Sequence, residues 1–139
     1  EEFPTRLEAG TPNTVGLAGL NAALEGLNPA ATLAHERGLV GRIIRELGDG
    51  GKIRIIGDAP LSRRVGLLSL AVGGVVPVDV AAILDESFGI AVRPGLHCAP
   101  YAHRAVGTFP DGTIRVSLGW STTEAEIDQL IAALREIAE

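Results

Sequence analysis

The chain of 139 residues has a single cysteine, a single tyrosine, a single tryptophan and no methionine. One thiol excludes an internal disulfide and predicts a reducing, cytoplasmic compartment. No apolar run reaches the roughly 18 residues of a membrane span, and the charged start and cleavage site of a signal peptide are missing. Lysine is nearly absent too: of 12 basic residues, only Lys52 is a lysine. With so few and scattered basic residues and a formal charge of −5, neither a nucleic-acid nor a membrane partner is expected. The lack of methionine in a chain that opens Glu-Glu-Phe-Pro predicts a processed chain or a domain excised from a larger protein.

What is present is an ordinary globular balance, 46% hydrophobic and 21% charged, in a length suited to one domain with a sizeable core. Residues 1–12 carry two prolines and Gly-Thr-Pro and read as an extended entry segment; residues 13–139 read as one small domain. From Asn13 to about Leu27 the residues are small and apolar on nearly every face, which predicts a helix buried all round by another domain or subunit. Asn28-Pro29 starts a helix to about Leu47, with Val40, Ile43, Ile44 and Leu47 on one stripe, and Gly-Asp-Gly-Gly ends it.

Strands are predicted over 52–57, 64–72, 89–93 and 113–119, and a helix over 77–88. Thr123 and Glu126 form a capping box before a stripe of Ile127, Leu130, Ile131, Leu134 and Ile137. Together these predict an α+β fold, a small and mostly antiparallel sheet with helices packed on it.

The one cysteine lies in "RPGLHCAPYAH" (93–103), with two of the three histidines. A thiol gains reactivity from nearby cations or a helix start, and Arg93, His97, His103 and Arg104 are all close to Cys98. A reactive cysteine and an inert core thiol are both compatible with that composition. Zinc on His97, Cys98 and His103 fits poorly, with three ligands in seven residues and no second cluster, so no metal is expected. A Cys-His hydrolase lacks an evident orienting partner, and His35, on a helix, reads as a packing or capping residue. Arg115 alternates against Ile114, Val116 and Leu118; it is either solvated or a carboxylate-binding fork.

The segments "EAGTPNTVGLAGLNAAL", "GIAVRPGLHCAP", "GTIRVSLG" and "TEAEIDQLIAALREI" resemble, in order, the C-terminal small domain of cysteine desulfurases. These are grouped with selenocysteine lyases among class V pyridoxal-phosphate (PLP) enzymes of aminotransferase fold (fold-type I). The resemblance implies that Cys98 is the nucleophile that takes sulfur from L-cysteine, leaving alanine and an enzyme persulfide for a sulfur-acceptor protein. It implies that Arg115 pairs with the substrate carboxylate. Thr11 would reach the PLP phosphate of the partner subunit in a homodimer. Arg93 and His97 would support the loop and stabilise the thiolate.

The resemblance also has gaps. The family's PLP lysine follows a histidine in a large domain that this chain lacks, and Lys52 matches no part of that motif, so the chain alone is expected to be inactive. "GWSTTEAEID" departs from the usual aromatic-Asn-Thr, with Ser121 expected still to cap the helix. A class V aminotransferase, a selenocysteine lyase and a non-catalytic module with a structural cysteine remain as alternatives.

Overall fold

In the computed structural model, which describes residues 2–48 and 51–139, asparagines start the first two helices. Asn13 accepts a hydrogen bond from the Gly16 N–H at 2.9 Å to open α1 (Thr14–Glu25). Asn28 accepts one from Ala31 at 3.1 Å, and Pro29 takes the first position of α2 (Pro29–Leu47), where its missing N–H leaves no bond unmade. Asp49 and Gly50 of the expected stop lie outside the described residues; Gly48 closes α2 through its N–H to the Ile44 carbonyl at 2.8 Å.

The chain continues through β1 (Ile53–Ile55), β2 (Leu67–Val72), α3 (Pro77–Phe88), β3 (Arg93–Gly95), α4 (Pro100–Ala105), β4 (Thr113–Ser117) and α5 (Glu124–Ile137). The four strands form one antiparallel sheet in the order β1-β2-β4-β3. One face of it carries Ile53, Leu68, Leu70, Val72, Ile114 and Val116. These pack with Leu39, Val40 and Ile43 of α2, Val80 and Leu84 of α3, and Ile127, Leu130, Ile131 and Leu134 of α5. Each such side chain stabilises the fold by about 1.5–3 kcal/mol. The expected α+β architecture is therefore present, with helices covering one face of the sheet.

The apolar stripe of α5 is held in place from its first turn. Thr123 accepts from the Glu126 N–H at 3.3 Å while the Glu126 carboxylate accepts from the Thr123 N–H at 2.7 Å. The Glu126 carboxyl is drawn below its usual range, first by that backbone N–H and then by the Thr123 hydroxyl. Arg42 of α2 ties the same turn down by bonding Glu124 and Asp128. The bond it donates to Glu124 is the main reason its guanidinium is still harder to deprotonate than usual. The cap is Thr123 and not Ser121, which lies two residues upstream of it.

Two further expectations are corrected. The strand predicted over 89–93 begins only at Arg93. Gly89 takes the left-handed conformation (φ +66°) to terminate α3, and the Ile90 N–H bonds the Leu84 carbonyl at 2.9 Å, so this backbone serves the helix end. β2 starts at Leu67 rather than Arg64, because a 3-10 turn at Leu61–Arg63 precedes it and the Arg64 side chain is bound to the Gly57 and Ala59 carbonyls. Helix α1 forms as expected, and none of its residues is buried among the described residues of this chain, so its expected cover has to come from elsewhere. Val15, Leu17, Leu20 and Leu24 stay exposed.

Candidate functional site

β4 lies inside the sheet between β2 and β3, so Arg115 has a neighbour on each side. Ser69 faces it from β2 and Arg93 faces it from β3. All three stand on the sheet face opposite the core, since Ile114 and Val116 point into the core. Directly opposed like charges on one face disfavour a sheet. The Arg115 Nε is buried without any hydrogen-bond partner, and neither arginine forms an ion pair among the described residues. A fork of N–H donors in this setting is complete only with an added anion, for which a carboxylate has the matching planar geometry.

β3 leads straight into the cysteine loop. Gly112, before β4, approaches Gly95 so closely that a Cβ would run into the Gly95 backbone, which fixes the base of the loop. The Ala99 N–H bonds the Leu96 carbonyl at 2.8 Å, and within this turn His97 (φ +52°) and Cys98 (φ +60°) are both left-handed. Such a conformation costs about 1–3 kcal/mol per non-glycine residue and persists where surroundings impose it. The outcome is an exposed thiol at Cys98, so the inert core reading of the cysteine is not what the structure contains.

Two histidines hold the loop from either side. His97 Nε2 lies 2.9 Å from the Arg93 carbonyl; since a carbonyl only accepts, Nε2 carries the proton and donates. His103, on α4, is buried, with Nδ1 2.7 Å from the Thr108 hydroxyl, and the Thr108 N–H bonds the His103 carbonyl at 2.8 Å. The two imidazole centroids are 5.8 Å apart. Sequence reasoning did not find the His103–Thr108 pair. Its signal is a threonine just past Gly107, where a positive φ (+70°) turns the chain back over the helix.

The predicted site residues thus separate into two groups. Arg93, His97, Cys98 and Arg115 are brought together by the β3–β4 pair and its loop. Thr11 sits exposed in the bend before α1, with no side-chain hydrogen bond among the described residues. His35, expected to pack or cap, is exposed, with Nε2 2.8 Å from the Thr122 carbonyl far along the chain. A groove of about 700 Å³ lies between the end of α1 and Trp120; no residue of the cysteine segment lines it.

The model of the aminotransferase class-V family matches residues 1–130. The chain belongs to the class-V aminotransferase family. Within it, the chain is similar to cysteine desulfurases. It is 38% identical over 134 residues to a probable cysteine desulfurase of Mycobacterium leprae, covering 94% of this chain and 31% of that protein. It is 37% identical over 137 residues to one of Streptomyces coelicolor, covering 96% and 32%. Among solved structures, the apo cysteine desulfurase of Thermococcus onnurineus superposes with a TM-score of 0.86 at 33% identity, over 99% of this chain and 34% of that one. The Escherichia coli cysteine desulfurase CsdA, solved as an S-sulfonic acid, does so with a TM-score of 0.79 at 31% identity, over 98% and 33%. The chain spans about a third of the length of the relatives it matches.

Class-V aminotransferases use pyridoxal 5'-phosphate. The residues of this class-V chain do not form a site that holds it covalently. The only lysine, Lys52, adjoins β1 at the sheet edge opposite β3, and its ammonium donates to the Glu139 carbonyl at 2.7 Å. What the β3–β4 side offers is a guanidinium with an unpartnered Nε and a free thiol.

Proposed function

We propose that this chain provides the sulfur-accepting and carboxylate-binding part of a cysteine desulfurase. In this reading the PLP lysine and most of the cofactor pocket belong to the two-thirds of the relatives that the chain does not match. The observation that carries this reading is the exposed Cys98 thiol, in a left-handed turn, one loop away from the unpartnered Arg115 Nε. Identity to cysteine desulfurases along nearly the whole chain supports it.

In this reading Arg115 binds the α-carboxylate of L-cysteine as a planar fork, and the Cys98 thiolate is the nucleophile. A bond forms between Cys98 Sγ and the substrate sulfur as the substrate C–S bond breaks. Cysteine plus enzyme thiol becomes alanine plus enzyme persulfide, with no external oxidant or reductant. His97 and Arg93 hold the loop through the Nε2–carbonyl bond. PLP is the cofactor of the full-length homodimer, with Thr11 donating to the phosphate bound in the partner subunit, and the persulfide passes to an acceptor protein.

The test uses full-length protein carrying this chain, as wild type and as Cys98→Ala, following PLP absorbance and sulfide release from L-cysteine under a reducing thiol. PLP bound by both and sulfide released only by wild type is the expected result. Sulfide release indifferent to the substitution removes Cys98 from the chemistry and favours a lyase acting without an enzyme persulfide.

A further inference from the structure

The stretch that carries the thiol is net positive in a chain that is net negative. Between residues 87 and 123 there are three arginines, Arg93, Arg104 and Arg115, against the single Asp111, a formal +2. That leaves −7 for the remainder of a chain whose total is −5. Two of these arginines belong to the carboxylate platform already described. The third does not.

Arg104 stands on α4 three residues after Tyr101, so the two share one helix face. Its guanidinium carbon lies 5.9 Å from the Tyr101 ring centroid and 4.6 Å from that of Phe109. The cation is thus in contact with two aromatic rings, an arrangement that holds it in place. No carboxylate pairs with it and no carbonyl accepts from it among the described residues. Tyr101 is 81% exposed and Phe109 44%. A fixed guanidinium with free donors, bordered by exposed aromatic rings, has the composition of a protein-contact hot spot. Cys98 is exposed only two residues before α4 begins.

We propose that Tyr101, Arg104 and Phe109 form the docking surface for an acidic segment of the protein that receives sulfur from Cys98, one with carboxylates beside its acceptor thiol. This rests on the reading of Cys98 as the persulfide carrier. In the transfer, the acceptor thiolate attacks the outer sulfur of the Cys98 persulfide, a new S–S bond forms, the old one breaks, and Cys98 leaves as a thiolate. Charge complementarity selects the partner: an acidic segment is attracted to the unpaired Arg104 beside the thiol, and a basic segment is repelled by it.

The 139-residue chain can be tested without cofactor by converting Cys98 to its pyridyl mixed disulfide. Release of thiopyridone is then followed on adding short cysteine peptides flanked by Asp/Glu, by Ser/Gly or by Lys. Each rate is divided by the same peptide's rate with free dithiodipyridine, which removes differences in thiol reactivity. The acidic peptide is expected to react about tenfold faster than the lysine peptide at low salt. The preference should collapse at 0.5 M salt, where screening is nearly complete over about 5 Å. It should be kept in Arg104→Lys, lost in Arg104→Gln and reversed in Arg104→Glu, with circular dichroism confirming that each variant is folded. Equal rates for all peptides, or an acidic preference that survives Arg104→Glu, overturns the docking surface. A Cys98 that never accepts sulfur from L-cysteine in the full-length protein overturns the persulfide reading instead, and leaves the peptide ranking as measured.

Discussion

Arg93 and Arg115 stand directly opposite each other across β3 and β4, with no carboxylate between them. Such a pair weakens the sheet that holds it, and the buried, unpartnered Nε of Arg115 adds a desolvation cost of about 1–3 kcal/mol. Arg115→Gln in this chain is therefore expected to leave thermal stability unchanged or raised. In the full-length protein the same substitution is expected to raise KM for L-cysteine about tenfold or more, the loss of one charge-assisted bond. A marked drop in the melting temperature together with an unchanged KM would make Arg115 a structural residue.

The His103–Thr108 pair has the opposite character. Both residues are buried, and the hydroxyl is the only side-chain partner of Nδ1 among the described residues. Thr108→Val keeps the shape and removes that partner, which should cost about 1–3 kcal/mol in urea unfolding. Thr108→Ser restores the bond and should recover most of the loss. Equal stabilities for the valine and serine variants would show that the bond contributes nothing.

The capping box of α5 carries a sign that can be checked against pH. The Glu126 carboxyl is drawn below its ordinary value of 4.5 by the Thr123 N–H and hydroxyl. A group whose pKa is lowered on folding contributes stability above its unfolded value and loses it as pH falls through the folded value. The stability difference between wild type and Glu126→Gln should thus be constant above about pH 5 and shrink as pH falls below 4.5. A difference that grows on acidification would contradict the bonding described for Thr123.

Helix α1 buries no residue against the rest of the chain. Removal of residues 1–25, which leaves the Asn28 cap of α2 in place, should therefore change the unfolding free energy by less than about 0.5 kcal/mol. Hydrogen exchange should find the α1 amides the least protected of any helix, apart from the short α4. A loss of several kcal/mol on truncation would show that α1 packs on the core.

These features were unequally legible in the sequence. The boundaries of α2, α3 and α5 follow local chemistry, through Asn28-Pro29, Pro77 with Gly89, and Thr123 with Glu126. β3 was misplaced because residues 89–92 look like a strand, whereas the true strand contains Pro94 and Gly95. Those residues are tolerated because β3 is an edge strand, where a missing donor is not felt. The order β1-β2-β4-β3 depends on pairings between distant segments that no local pattern encodes. Within the candidate site, residue type and resemblance single out Arg115 and Cys98. They do not reveal the left-handed pair at His97 and Cys98, since non-glycine residues with positive φ are set by their surroundings. The opposition of Arg93 to Arg115 likewise became visible only with the register of β3.

The most direct measurement is the mass of the Cys98 peptide after full-length protein, loaded with PLP, is given a limiting amount of L-cysteine and then alkylated. The expected result is a Cys98 peptide heavier by one sulfur atom, with alanine formed in equal amount and the modification removed by an added thiol. Alanine formed while Cys98 stays an unmodified thiol would show that Cys98 does not accept the sulfur.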